Sequence, residues 1–255
     1  MWETLEVSVH EAVGHVRLNR AHRLNALSRQ TLMDLADVAR WCASQRTMKV
    51  VVVSGAGTSF SAGFDLSEFS TPHPEYSVRD TADLGRLMAE AVTSIPQITI
   101  ASIHGHCVGG GLVLAASCDL RVASDDAQFR IPEVDLGIPL AWGGIPRLVR
   151  EIGPAVTKEL VLTCRSFSAH EAHSLRFVNT VVTPDERDEH VRTLAESLAK
   201  KPGYALRTTK QQVNAVTEEI AGTGSNAADA DALVFATYDA ESKAASRNYL
   251  ASKQK

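Results

Sequence analysis

The chain opens on alternating apolar and polar positions. Leu5 to Val9 and Val13 to Leu18 place apolar residues at every second position, with Gly14 near the turn between them, which predicts a β-hairpin. After Ser28 the period lengthens: Leu32, Leu35, Val38, Ala39 and Cys42 recur at helical spacing, and Ser28 stands where a side chain caps a helix start. Two short β-branched runs follow, VVVSG after Lys49 and ITIASIHG from Ile98. Each ends at a glycine, as a buried parallel strand does before its loop. GLVLAASCDLRVAS then predicts a helix running into another strand. Strands alternating with helices imply an α/β fold with its functional loops at strand ends. From about Pro184 onward strand signals cease and the chain reads as charged helices. This divides it into a core over residues 1–183 and a C-terminal helical subdomain over 184–255. The proline-bearing stretch from Ser67 to Asp80 suits a mobile loop or a plain surface connection.

Composition narrows the classes of function. At 255 residues, 44% of them hydrophobic, the chain can bury a core without staples. A net charge of -4 supplies no basic field for nucleic acid. Cys42, Cys107, Cys118 and Cys164 are scattered without a C-x-x-C pair. That argues against a disulfide framework and against zinc, and it suits a reducing compartment, the cytoplasm. We expect no signal peptide, because no basic run precedes an apolar stretch at the start, and no membrane span. The C-terminal ASKQK is no peroxisomal address. There is no G-x-S-x-G elbow, Walker loop, full dinucleotide fingerprint or H-E-x-x-H. His170 and His173 lack a third ligand and read as surface residues. His104 and His106 read as structural, with His106 able to border a pocket.

Two glycine-bearing segments follow the buried strands: SFSAGFDL (Ser59 to Leu66) and HGHCVGGGLVLAASCDL (His104 to Leu120). Each has the form strand, tight loop, helix start. Glycine lets a ligand approach the main chain, and a helix start leaves N–H groups unpaired. Two such loops side by side can aim two donors at one oxygen. Taken alone, three glycines in a row read as tight helix–sheet packing. In the third segment, Ala127 to Val149, Glu133 follows a proline in an apolar stretch. It is either exposed on a loop or held in a cleft with a raised pKa, and spacing leaves both open.

Together these segments resemble the crotonase superfamily, the enoyl-CoA hydratase/isomerase family. The resemblance runs in order from HVRLNRAHRLNALS through SAGFDL, the GGG segment, CDLRVAS, IPEVDLG and GGIPRLV to the stretch ending at about Val182. It implies a spiral of ββα turns with a C-terminal helical trimerisation region, assembled as a homotrimer or a dimer of trimers. It also implies an acyl-CoA thioester as substrate, with no cofactor and no metal. By the same resemblance Ala62 and Gly110 supply the oxyanion-hole N–H groups and Glu133 is the catalytic carboxylate. Arg23 and Leu24 meet the CoA nucleotide. Ser61, Gly63, Phe64, Asp65 and Gly109 border the bound thioester, with Asp65 capping the following helix. Asp119 is structural.

The chain departs from the family at three places, two of which bear on the reaction. The hydratases carry a second glutamate where Val113 stands, and other members carry an aspartate where Ala141 stands, with Asp135 at the wrong offset. ESKAASRNYL also lacks the phenylalanine usual in the closing helix. Hydration divides its proton transfers between two glutamates. A 3-enoyl to 2-enoyl shift needs one base, and family isomerases similarly have an apolar residue at the Val113 position. The expectation is therefore an enoyl-CoA isomerase. An enoyl-CoA hydratase is the alternative, and a non-catalytic acyl-CoA-binding protein is the second.

Overall fold

The structure is a computed structural model that describes residues 2–70, 76–224 and 226–253. Strands β1 (Leu5–His10) and β2 (Val13–Leu18) form the expected hairpin, with Leu5 opposite Leu18. Its turn is made by Glu11 and Ala12, with Glu11 at φ 53, while Gly14 lies inside β2. Gly14 is there for space: a Cβ at this position would stand 2.3 Å from the Met48 sulfur.

Helix α1 (Arg29–Ser44) begins at Ser28, whose hydroxyl accepts from the Thr31 N–H at 3.2 Å. A cap of this kind is worth about 1 kcal/mol. The chain continues through β3 (Val50–Gly55), α2 (Val78–Thr93), β4 (Ile98–Ile103), β5 (His106–Val108), α3 (Gly110–Ala116), β6 (Leu120–Ser124) and β7 (Gln128–Arg130). Then come α4 (Gly144–Thr163), β8 (Phe167–Ser168), α5 (Ala169–Ser174) and β9 (Thr180–Val182). Helices α6 (Pro184–Ala199), α7 (Gly203–Ile220), α8 (Asp229–Ala236) and α9 (Ala240–Lys253) complete it. The segment Ser67 to Asp80 is a 3-10 turn over Leu66–Ser70 and then a capping box in which Ser77 and Asp80 start α2; residues 71–75 lie outside the described residues.

The strands form two layers. The larger sheet has the order β1-β2-β3-β4-β6-β9, parallel from β2 onward, and the smaller has the order β5-β7-β8. Single bridges from Leu27 to Phe64 and from Ser61 to Cys107 extend the second layer toward the N-terminus. The chain therefore repeats one unit: a strand in the first layer, a short strand in the second, then a helix. β4-β5-α3 and β6-β7-α4 are two such turns, stacked as a spiral, in accord with the expected fold class.

Alternate residues of β3 serve two cores, as a strand buried on both faces requires. Val51 and Val53 join the main core with Leu32, Leu35, Met88 and Leu112. Val50 and Val52 face the other way, against Val191 and Ala195 of α6. Asp119 accepts from the Thr99 N–H at 2.7 Å, the Thr99 hydroxyl at 2.9 Å and the Lys210 ammonium at 2.7 Å, tying β4 to α7. No helix among the described residues is long and apolar enough to cross a membrane.

Candidate active site

The spiral brings the three sequence segments together at one small cavity. Its walls include Phe64, Gly110, Val113, Glu133, Trp142 and Leu233, and its volume is about 50 Å³. Phe64 comes from the first glycine-bearing loop, Gly110 and Val113 from the second, and Glu133 from the third segment. Leu233 comes from α8, so the C-terminal helices close over the site of their own chain.

Gly109 fixes the geometry between the donor loop and the carboxylate. Its φ of 50 and ψ of -117 lie where side-chain-bearing residues are strained, and a Cβ there would stand 2.6 Å from Glu133 Oε1. The carboxylate thus rests directly against the start of α3. The Gly109 N–H donates to Arg130 O at 2.9 Å, and its carbonyl accepts from Leu112 and Val113. The Gly110 N–H, at the helix start, has no acceptor among the described residues.

The first loop corrects one expectation. The Ala62 N–H is not open to a ligand, because it donates to Leu24 O at 2.9 Å. The physical reason is strand-like alternation. Leu27 donates to Gly63 O at 2.7 Å and accepts from the Asp65 N–H at 3.0 Å, so both groups point toward Leu27. The Phe64 N–H lies between these two groups, and strand-like alternation turns it away from Leu27. Offsets in the motif could not reveal this, because the direction of each N–H depends on the pairing with Leu24 and Leu27.

Most of the remaining loop residues hold the loop in shape. Ser61 is fully buried; its hydroxyl donates to Asn25 O at 2.9 Å and accepts from the Gly63 N–H at 3.2 Å. Gly63 has φ 89, and a Cβ there would stand 2.7 Å from Val108 O. Asp65 caps the turn that follows, as expected, accepting from the Ser67 hydroxyl at 2.7 Å and its N–H at 3.2 Å. Burial pushes the Asp65 carboxyl up, but the Ser67 bonds and the Arg20 guanidinium, 2.9 Å away, outweigh burial and hold it below its ordinary value. Arg23 is exposed, and Leu24, in the left-handed region at φ 51, is 40% exposed beside it. Both stand on a surface turn whose shape is set by Asn25, which donates to Ala56 O and Ser59 O at 2.7 Å.

Glu133 is the chemically distinctive group. Its Oε2 is buried without a hydrogen-bond partner. Desolvation is the main cause that pushes its pKa from 4.5 up to about 7, opposed only by its own backbone N–H. Asp135 turns away to Arg130 at 2.7 Å, and Ala141, not a carboxylate, lines the cavity. Val113 is 1% exposed against the same space. His104 bonds Gly57 O at 3.0 Å, while His106 is exposed and is no part of the cavity wall. All four cysteines are buried and free, and no three metal-ligating side chains cluster among the described residues. Trp142, Leu233 and Gly85, which shape the cavity, carried no sequence signal beyond the A-W-G-G run.

The sequence model of the enoyl-CoA hydratase/isomerase family matches residues 8–255. The chain is 32% identical over 240 residues to a crotonyl-CoA hydratase of Syntrophomonas wolfei, covering 93% of this chain and 92% of that protein. It is 36% identical over 224 residues to a peroxisomal Delta(3,5)-Delta(2,4)-dienoyl-CoA isomerase of Arabidopsis thaliana, covering 82% and 81%. A solved enoyl-CoA hydratase of Bacillus anthracis superposes with a TM-score of 0.80 at 31% identity, covering 88% of this chain and 91% of that one. Matched in sequence over nearly its whole length and in fold over most of it, the chain belongs to the enoyl-CoA hydratase/isomerase family, within the crotonase superfamily.

Proposed function

We propose that the chain is a 3-enoyl-CoA to 2-enoyl-CoA isomerase. Its one base is Glu133, and its oxyanion hole is formed by the N–H groups of Gly110 and Phe64. The observation that carries this reading is that Glu133 is the one carboxylate lining the cavity among the described residues, with Val113 and Ala141 at the positions where a second could act. A carboxyl with a pKa of about 7 is half ionised near neutral pH, which suits a group that must both take and return a proton.

The thioester oxygen sits between the two N–H donors, with the acyl carbons toward Glu133. The carboxylate removes the C2 proton, and the electron pair of that C–H bond delocalises into a dienolate whose negative oxygen faces the donors. The protonated Glu133 then delivers the same proton to C4, and the double bond comes to rest between C2 and C3. No co-reactant is consumed. Each preorganised donor contributes on the order of a hundredfold or more in rate. Arg23 and Leu24, on the exposed turn, are placed to meet the CoA nucleotide.

Hydration is the second reading, favoured by relatives named as hydratases, such as the crotonyl-CoA hydratase. The non-catalytic reading is weakened by Glu133 itself, because a buried carboxyl without a partner costs stability that a mere binder has no use for. Glu133→Gln keeps the shape and removes the base. It is expected to retain acyl-CoA binding and to lose isomerisation of a 3-enoyl-CoA by roughly a hundredfold or more. Wild-type turnover in the folded variant would remove Glu133 from the chemistry.

A further inference from the structure

We propose that Trp142 is the floor of the acyl pocket and restricts the enzyme to short acyl chains, of about four to six carbons. The proposal rests on the reading of this cavity as an acyl-CoA site and names the substrate class that it admits.

The indole is held from three sides. It meets the Phe64 ring edge to face, with centroids 5.8 Å apart and planes at 84°. It lies so close to α3 that a Cβ on Gly110 would stand 2.3 Å from its Cζ3. On the far side it enters a notch in α2, where a Cβ on Gly85 would stand 1.9 Å from both Cδ2 and Cε2. A glycine within a helix weakens the helix relative to alanine, so its presence at position 85 is explained by the ring that occupies the space.

The backbone is fixed as firmly. Trp142 has φ 61, a left-handed conformation that a bulky residue adopts only when its surroundings enforce it. Arg147, itself buried, donates to Trp142 O at 3.3 Å and to Gly143 O at 3.1 Å. The Gly143 N–H donates to Asp229 of the C-terminal segment at 2.8 Å. The ring is therefore a built wall, not a side chain free to swing aside. The whole cavity, from Glu133 and Gly110, where the reacting carbons would lie, to the indole, is about 50 Å³ and holds only a group of a few heavy atoms.

The test compares four- and eight-carbon acyl-CoAs in the wild-type protein, Trp142→Phe and Trp142→Ala, each first verified as folded by circular dichroism. Calorimetric affinity for butyryl-CoA and octanoyl-CoA, which needs no turnover, is measured beside kcat/KM for the matching 3-enoyl-CoAs. A methylene that does not fit a pocket costs roughly tenfold or more. Wild type is expected to prefer the four-carbon chain at least tenfold. Trp142→Ala is expected to erase or invert that preference, with Trp142→Phe between them. Equal affinity of the wild type for both chains, or an unchanged preference in folded Trp142→Ala and Trp142→Phe, overturns the floor while leaving the isomerase reading intact. The expected affinity profile without isomerisation supports the floor and contradicts the isomerase. Binding of neither thioester contradicts both.

Discussion

Replacing the buried carboxyl of Glu133, the proposed base, by the neutral amide of glutamine is predicted to make the protein more stable while making it inactive. The unfolded chain carries this carboxyl with a pKa near 4.5; in the folded protein desolvation raises it to about 7. Below pH 4.5 the group is protonated in both states and burial costs little. Between 4.5 and 7 the unfolded chain ionises while the folded one does not, so the folded state loses ground steadily. Above about 7 the loss is complete. The difference between 4.5 and about 7, at about 1.4 kcal/mol for each tenfold change, amounts to on the order of 3 kcal/mol of stability given up at pH 8. Glutamine avoids that loss. Urea unfolding of wild type and Glu133→Gln at pH 4 and pH 8 measures it: the two are expected to agree at pH 4, with the variant more stable by roughly 2–3 kcal/mol at pH 8. The wild-type rate, which needs the ionised base, is expected to rise with pH through about 7. A variant no more stable than wild type at pH 8 would refute the claim that Glu133 is buried at a cost.

Three further outcomes follow from other parts of the molecule. Gly109→Ala places a methyl group 2.6 Å from Glu133 Oε1 in a backbone region closed to alanine, so kcat is expected to fall by roughly a hundredfold, read in a steady-state assay of the folded variant. Asp119→Ala strips the carboxylate from Lys210, which is buried and left with its bond to Gln97 O, and is expected to cost about 3 kcal/mol in a urea melt while kcat per folded molecule stays at the wild-type value. Val213, Val216 and Ile220 are exposed along one face of α7, with Tyr204, Phe235 and Tyr238 also exposed, so sedimentation at micromolar concentration is expected to show a trimer or a dimer of trimers; a clean monomer would contradict this.

Much of the fold was legible because its signals are local. The hairpin, the Ser28 cap and the doubly buried β3 follow from period, a capping residue and a β-branched run. Gly14, read as lying near the hairpin turn, sits just past it inside β2, where its lack of a side chain admits the close approach of Met48 rather than forming the turn. Glu133, Gly109, Gly110 and Phe64 were legible as neighbours of one site through the resemblance of ordered motifs. The assignment of the donor to Ala62 failed because N–H direction is a tertiary property, set here by pairing with Leu24 and Leu27. Trp142 and Gly85 were invisible for a related reason. A notch and the ring that fills it lie 57 positions apart, and neither residue alone departs from an ordinary helix or loop.

The most direct test of the account is the product formed from four- and six-carbon 2-enoyl- and 3-enoyl-CoAs by the wild-type protein. The account predicts conversion of 3-enoyl-CoA to 2-enoyl-CoA with little 3-hydroxyacyl-CoA from either, because Val113 cannot orient a water. Efficient formation of 3-hydroxyacyl-CoA from the 2-enoyl substrate, with no double-bond shift in the 3-enoyl one, would contradict it and make the chain a hydratase.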